Sequence, residues 1–168
     1  MRKRELLLAG DLASFSEAIG AIDDCNKIPV QTWWRLEGVT KVDCALLGED
    51  SVIFIEGKRT ELGASRNIAW YSHRNQVLRN LDCAAEYARK NQLASFYVML
   101  VVEKRLTEDN SLRKAEIEQI TDPGTIENSL PHLTADQRQD LMSNYLGVTT
   151  WEDIVAEFDL NGKILIDE

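Results

Sequence analysis

Asp43, Glu56 and Lys58 stand near the ends of two apolar segments, Val42-Asp43-Cys44-Ala45-Leu46-Leu47 and Ser51-Val52-Ile53-Phe54-Ile55-Glu56-Gly57-Lys58. Charged groups are rarely neutral choices there, because burying them without partners costs several kcal/mol. On an extended strand Glu56 and Lys58, two residues apart, share a face. Two carboxylates brought together repel unless a cation lies between them, and oxygen ligands suit Mg²⁺ or Mn²⁺ rather than zinc. The carbonyl of Gly57 is a further oxygen donor. Lys58, a point charge beside that metal, would orient a water, favour its deprotonation and offset charge growing on a phosphate. The chemistry described is metal-assisted phosphodiester hydrolysis. The alternative is a salt-bridged strand end without catalysis.

Whether Asp43 joins the other two depends on register. The segments form a hairpin around Gly48-Glu49-Asp50. With a two-residue loop (Glu49, Asp50) or a four-residue loop (Gly48 to Ser51), cross-strand partners sum to 99 and Asp43 opposes Glu56. Their Cβ atoms would then be about 5 Å apart. A three-residue loop would send the carboxylates to opposite faces unless a bulge restored the register.

The elements that must position these residues follow from periodicity. Leu12, Phe15, Ile19 and Ile22 predict a helix from Asp11 to about Asp24, and Gln31 to Glu37 predicts a strand. Val42 to Leu47 and Ser51 to Lys58 are apolar on both faces, as in a sheet covered on two sides. Trp70, Val77, Leu78, Leu81, Ala84, Ala85 and Ala88 form one helical stripe, followed by the strand Ser95 to Val102. The order is α-β-β-β-α-β, an α/β domain with a central mixed sheet flanked by helices, complete by about residue 105. Residues 106–168 are expected to be a mainly helical extension packed on that domain, with helices from Thr134 to Leu146 and Thr150 to Phe158 and a short strand from Lys163 to Ile166.

Composition narrows the function. The chain has 168 residues and a net charge of −9, but residues 1–105 balance to +1 and residues 106–168 carry −10. Between positions 58 and 79, Lys58, Arg59, Arg66, Arg74 and Arg79 face only Glu61, a local excess of +4. This is a basic patch suited to phosphate inside an acidic protein. The acidic block is either a solvated appendage or a surface for a basic protein partner. Three cysteines without CxxC spacing and only two histidines, His73 and His132, disfavour disulfide, zinc and Ser-His chemistry. The apolar run after Arg2-Lys3-Arg4 stops at Gly10-Asp11, and no apolar stretch approaches the roughly 20 residues of a membrane helix. A cytoplasmic protein with no membrane association is expected. Gly57-Lys58 is not a P-loop, since Val52 and Arg59 stand where Gly and Ser or Thr are needed.

Asp43 followed on the next strand by Glu56-Gly57-Lys58, in this element order, resembles the PD-(D/E)XK, or restriction-endonuclease-like, nuclease superfamily over roughly residues 11–104. The resemblance implies a restriction-endonuclease-like core, Mg²⁺ (or Mn²⁺) bound by Asp43 and Glu56, Lys58 as the catalytic lysine, and DNA in preference to RNA as substrate. It also implies a Glu on the first helix completing the metal site, for which Glu17 is the candidate and Glu37 a competitor. Gln76 resembles the Gln that several subfamilies carry on the following helix, although the Tyr four residues later is Asn80 here. Gln76, Arg74 and His73 compete for the phosphate. Arg59, Arg66, His73, Arg74 and Arg79 are the candidate nucleic-acid contacts. Many such nucleases act as homodimers, two sites cutting two strands. The competing function is a non-catalytic protein of the same fold that binds a basic partner, as an immunity or anti-nuclease protein would.

Overall fold

The computed structural model describes residues 42–58, 73–104 and 117–160. In chain order they form β1 (Cys44–Leu47), β2 (Ser51–Lys58), α1 (Gln76–Asn91), β3 (Ser95–Val102), α2 (Pro123–Ser129), α3 (Ala135–Met142), β4 (Tyr145–Thr150) and α4 (Trp151–Glu157). The sheet order is β1-β2-β3-β4; β1 and β2 are antiparallel, and the β2/β3 and β3/β4 pairs are parallel. The described residues thus form an α/β fold with a four-stranded mixed sheet packed against helices.

The hairpin closes with the even loop. Gly48 N–H donates to Ser51 O at 2.9 Å, leaving Glu49 and Asp50 as the loop. Cys44 therefore pairs with Ile55 and Leu47 with Val52. Asp50 O in turn accepts from Ala94 N (2.7 Å) and Ser95 N (3.1 Å), which sets the start of β3 beside the start of β2.

Val52, Phe54, Glu56 and Lys58 are the buried residues of β2, and they alternate with half-buried ones. Val98, Leu100 and Val102 pair with Phe54, Glu56 and Lys58 and continue the same face across β3. Helix α1 lies over that face and buries Val77, Leu78, Leu81, Ala84 and Ala88, the stripe that its periodicity predicts. It starts where Asn75 caps the N–H groups of Val77 and Leu78, and stops where Gln92 turns left-handed at φ 56°. A side chain buried in this way contributes about 1.5–3 kcal/mol, so the face is the main source of stability around the site.

The last third differs from expectation. The predicted helix from Thr134 to Leu146 ends at Met142, and Tyr145–Thr150 is a strand in the sheet, parallel to β3. Asn144 Nδ2 and Ser143 Oγ both donate to Asp140 O, consuming that carbonyl near the end of α3 locally. The aromatic and β-branched content of Tyr145-Leu146-Gly147-Val148-Thr149-Thr150 then favours a strand. Gly147 takes φ +88° at the irregularity in the β3/β4 register, a conformation that suits glycine. The extension is therefore not merely helical, since it supplies a strand to the sheet that carries the site. Thr150 caps α4 by accepting from Asp153 N, as its type and place suggest.

The predicted helix at 11–24 with Glu17, the strand at 31–37 with Glu37, Arg59, Arg66 and the strand at 163–166 lie outside the described residues. Among the described residues, no helix is long and apolar enough to cross a membrane.

Candidate active site

The site forms at the C-terminal end of β2. Extending the 44/55 pairing by one residue sets Asp43 opposite Glu56, and Asp43 Oδ2 accepts the backbone N–H of Gly57 at 2.9 Å. Glu56 is fully buried and Lys58 is 7% exposed, so both charges have left bulk water. Lys58 Nζ lies 2.7 Å from Glu56 Oε1. Asn80, on α1, donates Nδ2 to Glu56 Oε2 at 2.9 Å. The acid on β2 is thus held from its own strand by Lys58 and from the covering helix by Asn80.

The electrostatics follow from this packing. Burial pushes the Glu56 carboxyl above its ordinary value; the hydrogen bond and charge of Lys58 oppose the shift, the Asp43 carboxylate adds to it, and the Asn80 bond opposes it. Asp43 is therefore within electrostatic reach of Glu56, as the even register requires. A buried acid beside a second carboxylate gains from cationic charge, which is what a metal site needs and what Lys58 supplies in part.

Among the described residues, no group of three or more His, Cys, Asp or Glu is gathered to hold a metal. Two carboxylates nevertheless fit a hard divalent cation of the Mg²⁺ type, which is commonly bound through one or two carboxylates and keeps several waters.

Gly57 has a second role. A Cβ built on it would lie 2.9 Å from Trp151 Cζ2 and 3.8 Å from Asp43 Oδ2. The indole at the start of α4 thus packs against the strand segment between Glu56 and Lys58. Gly57→Ala should force the ring aside at a cost of about 1–3 kcal/mol, the usual penalty for overpacking. Thermal unfolding would report it, and wild-type stability would contradict the contact.

The remaining candidates separate. Arg74, read as a phosphate contact, is completely buried; its guanidinium donates to Asp82 Oδ2 (2.6 Å) and Ser129 O (2.8 Å). It is a structural ion pair, because the chain turns into the core just before the Asn75 cap. His132, in the turn between α2 and α3, is buried against the same cluster, with Nε2 3.1 Å from Asp82 Oδ2. His73 is exposed ahead of α1, while Gln76 and Arg79 are half-buried on it. The residue of α1 that reaches the acid is Asn80, at the position where the resembled subfamilies carry Tyr. Its signal was available: a polar residue three positions after Val77 and four before Ala84, within the buried stripe. Trp151 carried no such signal.

Set against protein-family models, curated protein sequences and solved structures, the chain matches none.

Proposed function

We propose that this protein is a divalent-metal-dependent nuclease of the restriction-endonuclease-like superfamily, hydrolysing phosphodiester bonds in nucleic acid, DNA before RNA. The observation that carries the reading is the register that sets Asp43 against the Gly57 N–H, beside the buried Glu56 and Lys58 pair. The order hairpin, helix, parallel strand supports it, because it puts these groups at the C-terminal end of β2, where Asp43 is exposed. In this reading Asp43 and Glu56 hold the metal, and the main-chain carbonyl between Glu56 and Lys58 is a third donor. The bound cation would supply a more acidic water and neutralise phosphate charge. Lys58 directs that water and meets negative charge as it grows on the phosphate. Gln76, Arg79 and His73 are on or next to the helix bordering the site, and their part is to orient the phosphate backbone. Glu17, Arg59 and Arg66 extend the same proposal. Incubation of the whole chain with plasmid DNA and with RNA, in Mg²⁺ or Mn²⁺ and in chelator, tests it: metal-dependent cleavage of DNA is expected, and no cleavage of either polymer would overturn it.

One observation favours the second reading, a non-catalytic acidic protein that binds a basic partner. Glu56 already has a cationic neighbour in Lys58, and Asp136, Asp140, Asp153 and Glu157 are exposed on α3 and α4. Replacing these four acids by Asn or Gln should abolish binding of a basic protein partner if the second reading holds. For a nuclease with a peripheral appendage, DNA affinity should be unchanged even at low salt, where screening is weakest. A gain of about tenfold at low salt would mark the acids as an autoinhibitory shield.

A further inference from the structure

The Asn80 side chain is completely buried, yet only half of it is used. Nδ2 donates to Glu56 Oε2 at 2.9 Å, whereas Oδ1 is buried without a hydrogen-bond partner. The amide cannot be reversed to cure this, since that would set two oxygens against each other. A buried acceptor left unmade costs about 1–3 kcal/mol, so a fold that only needed packing there would be served better by an apolar side chain. Leu78, Leu81 and Ala84 around it show that α1 supplies apolar residues where only packing is required. The unused oxygen is attached to the same amide that grips the acid, so it lies close to the Glu56 carboxylate.

We propose that Asn80 is a positioning residue for a divalent-cation site: Nδ2 fixes the Glu56 carboxylate from the helix side, and Oδ1 accepts a hydrogen bond from a water that the cation brings. The inference rests on the metal-site reading of Asp43 and Glu56. It extends that reading by giving α1 a defined part in cation affinity. Mg²⁺ and Mn²⁺ retain waters whose protons need acceptors, and losing a group that hydrogen-bonds a metal-binding side chain typically costs about 10- to 100-fold in affinity.

The test is Mn²⁺ binding to the whole chain by titration calorimetry, without substrate, for wild type, Asn80→Leu, Asn80→Ser and Glu56→Gln, with an unfolding curve for each. Leucine keeps the volume and removes both polar ends. Serine keeps a hydroxyl and leaves room for a water to bridge to Glu56. Wild type should bind, Asn80→Leu should bind about 10- to 100-fold more weakly, and Asn80→Ser should recover part of the loss. Wild-type affinity in Asn80→Leu, or equal losses in the leucine and serine variants, would overturn the role given to Asn80 while leaving the metal site standing. Should the leucine variant not fold, the serine variant decides: weakened binding is expected, and a wild-type constant overturns the proposal. No Mn²⁺ binding by wild type, or undiminished binding by Glu56→Gln, would overturn the metal-site reading itself, and the Asn80 role with it.

Discussion

Lys58→Ala should lower the rate of phosphodiester hydrolysis by at least about 10²- to 10³-fold, the usual loss when one group stabilising transition-state charge is removed. The lysine is 7% exposed and lies 2.7 Å from Glu56 Oε1, so its charge is already at the site before substrate arrives. Assigned to the water and to developing charge, it should affect turnover far more than affinity. Nucleic-acid binding should therefore survive the substitution. Equal losses of binding and rate would make Lys58 a phosphate clamp instead. Removing the amine also leaves Glu56 buried with Asn80 as its one remaining described hydrogen-bond donor, so an unfolding curve belongs with the rate measurement. Lys58→Arg keeps the charge but replaces a compact ammonium by a planar fork, and it should recover folding better than turnover.

Asp82→Ala should cost the fold about 3–5 kcal/mol, the range for breaking a buried ion pair from one side. Arg74 is completely buried and donates to Asp82 Oδ2 at 2.6 Å, and the cluster ties the N-terminal end of α1 to Ser129 and His132. Without the carboxylate, the buried Arg74 would lose the anion that neutralises it and keep the Ser129 carbonyl. A loss under about 1 kcal/mol, as for an exposed pair, would contradict the burial. The sign of the pH dependence follows from the same geometry. Burial would push the Asp82 carboxyl up, but the charge of Arg74, the hydrogen bond and charge of His132 and the Arg74 hydrogen bond outweigh it and hold it below the ordinary 3.8. The folded state thus binds that proton less readily than the unfolded chain. The stabilisation is whole above the ordinary aspartate range and is lost as pH falls through the lowered value. Urea unfolding of wild type and Asp82→Ala at neutral pH and in acid should show the gap between them narrowing in acid.

The hairpin was legible in the sequence because strand parity leaves few choices: once Glu49 and Asp50 form the loop, every partner follows, Asp43 included. The α1 stripe was legible for a similar reason, its apolar spacing being regular from Val77 to Ala88. β4 was not. Leu141, Tyr145 and Leu146 extend a helical period, but the local consumption of Asp140 O by Ser143 and Asn144, together with pairing along β3, makes the segment a strand. Arg74 misled because charge on a sequence says nothing of the partner that neutralises it, and His132 joins the cluster from fifty-eight positions away. Asn80 was overlooked because a family pattern asked for Tyr there. The physics of a polar residue on an apolar stripe pointed the other way.

The central claim is that Asp43 and Glu56 share a divalent cation. Crystals grown or soaked with Mn²⁺ and measured at the manganese edge test it most directly. An anomalous peak within ligand distance of both carboxylates, about 2.0–2.3 Å as for hard oxygen donors, with the Lys58 amine moved off Glu56 Oε1, is the predicted result. No peak there in saturating Mn²⁺, with Lys58 still paired to Glu56, would contradict it.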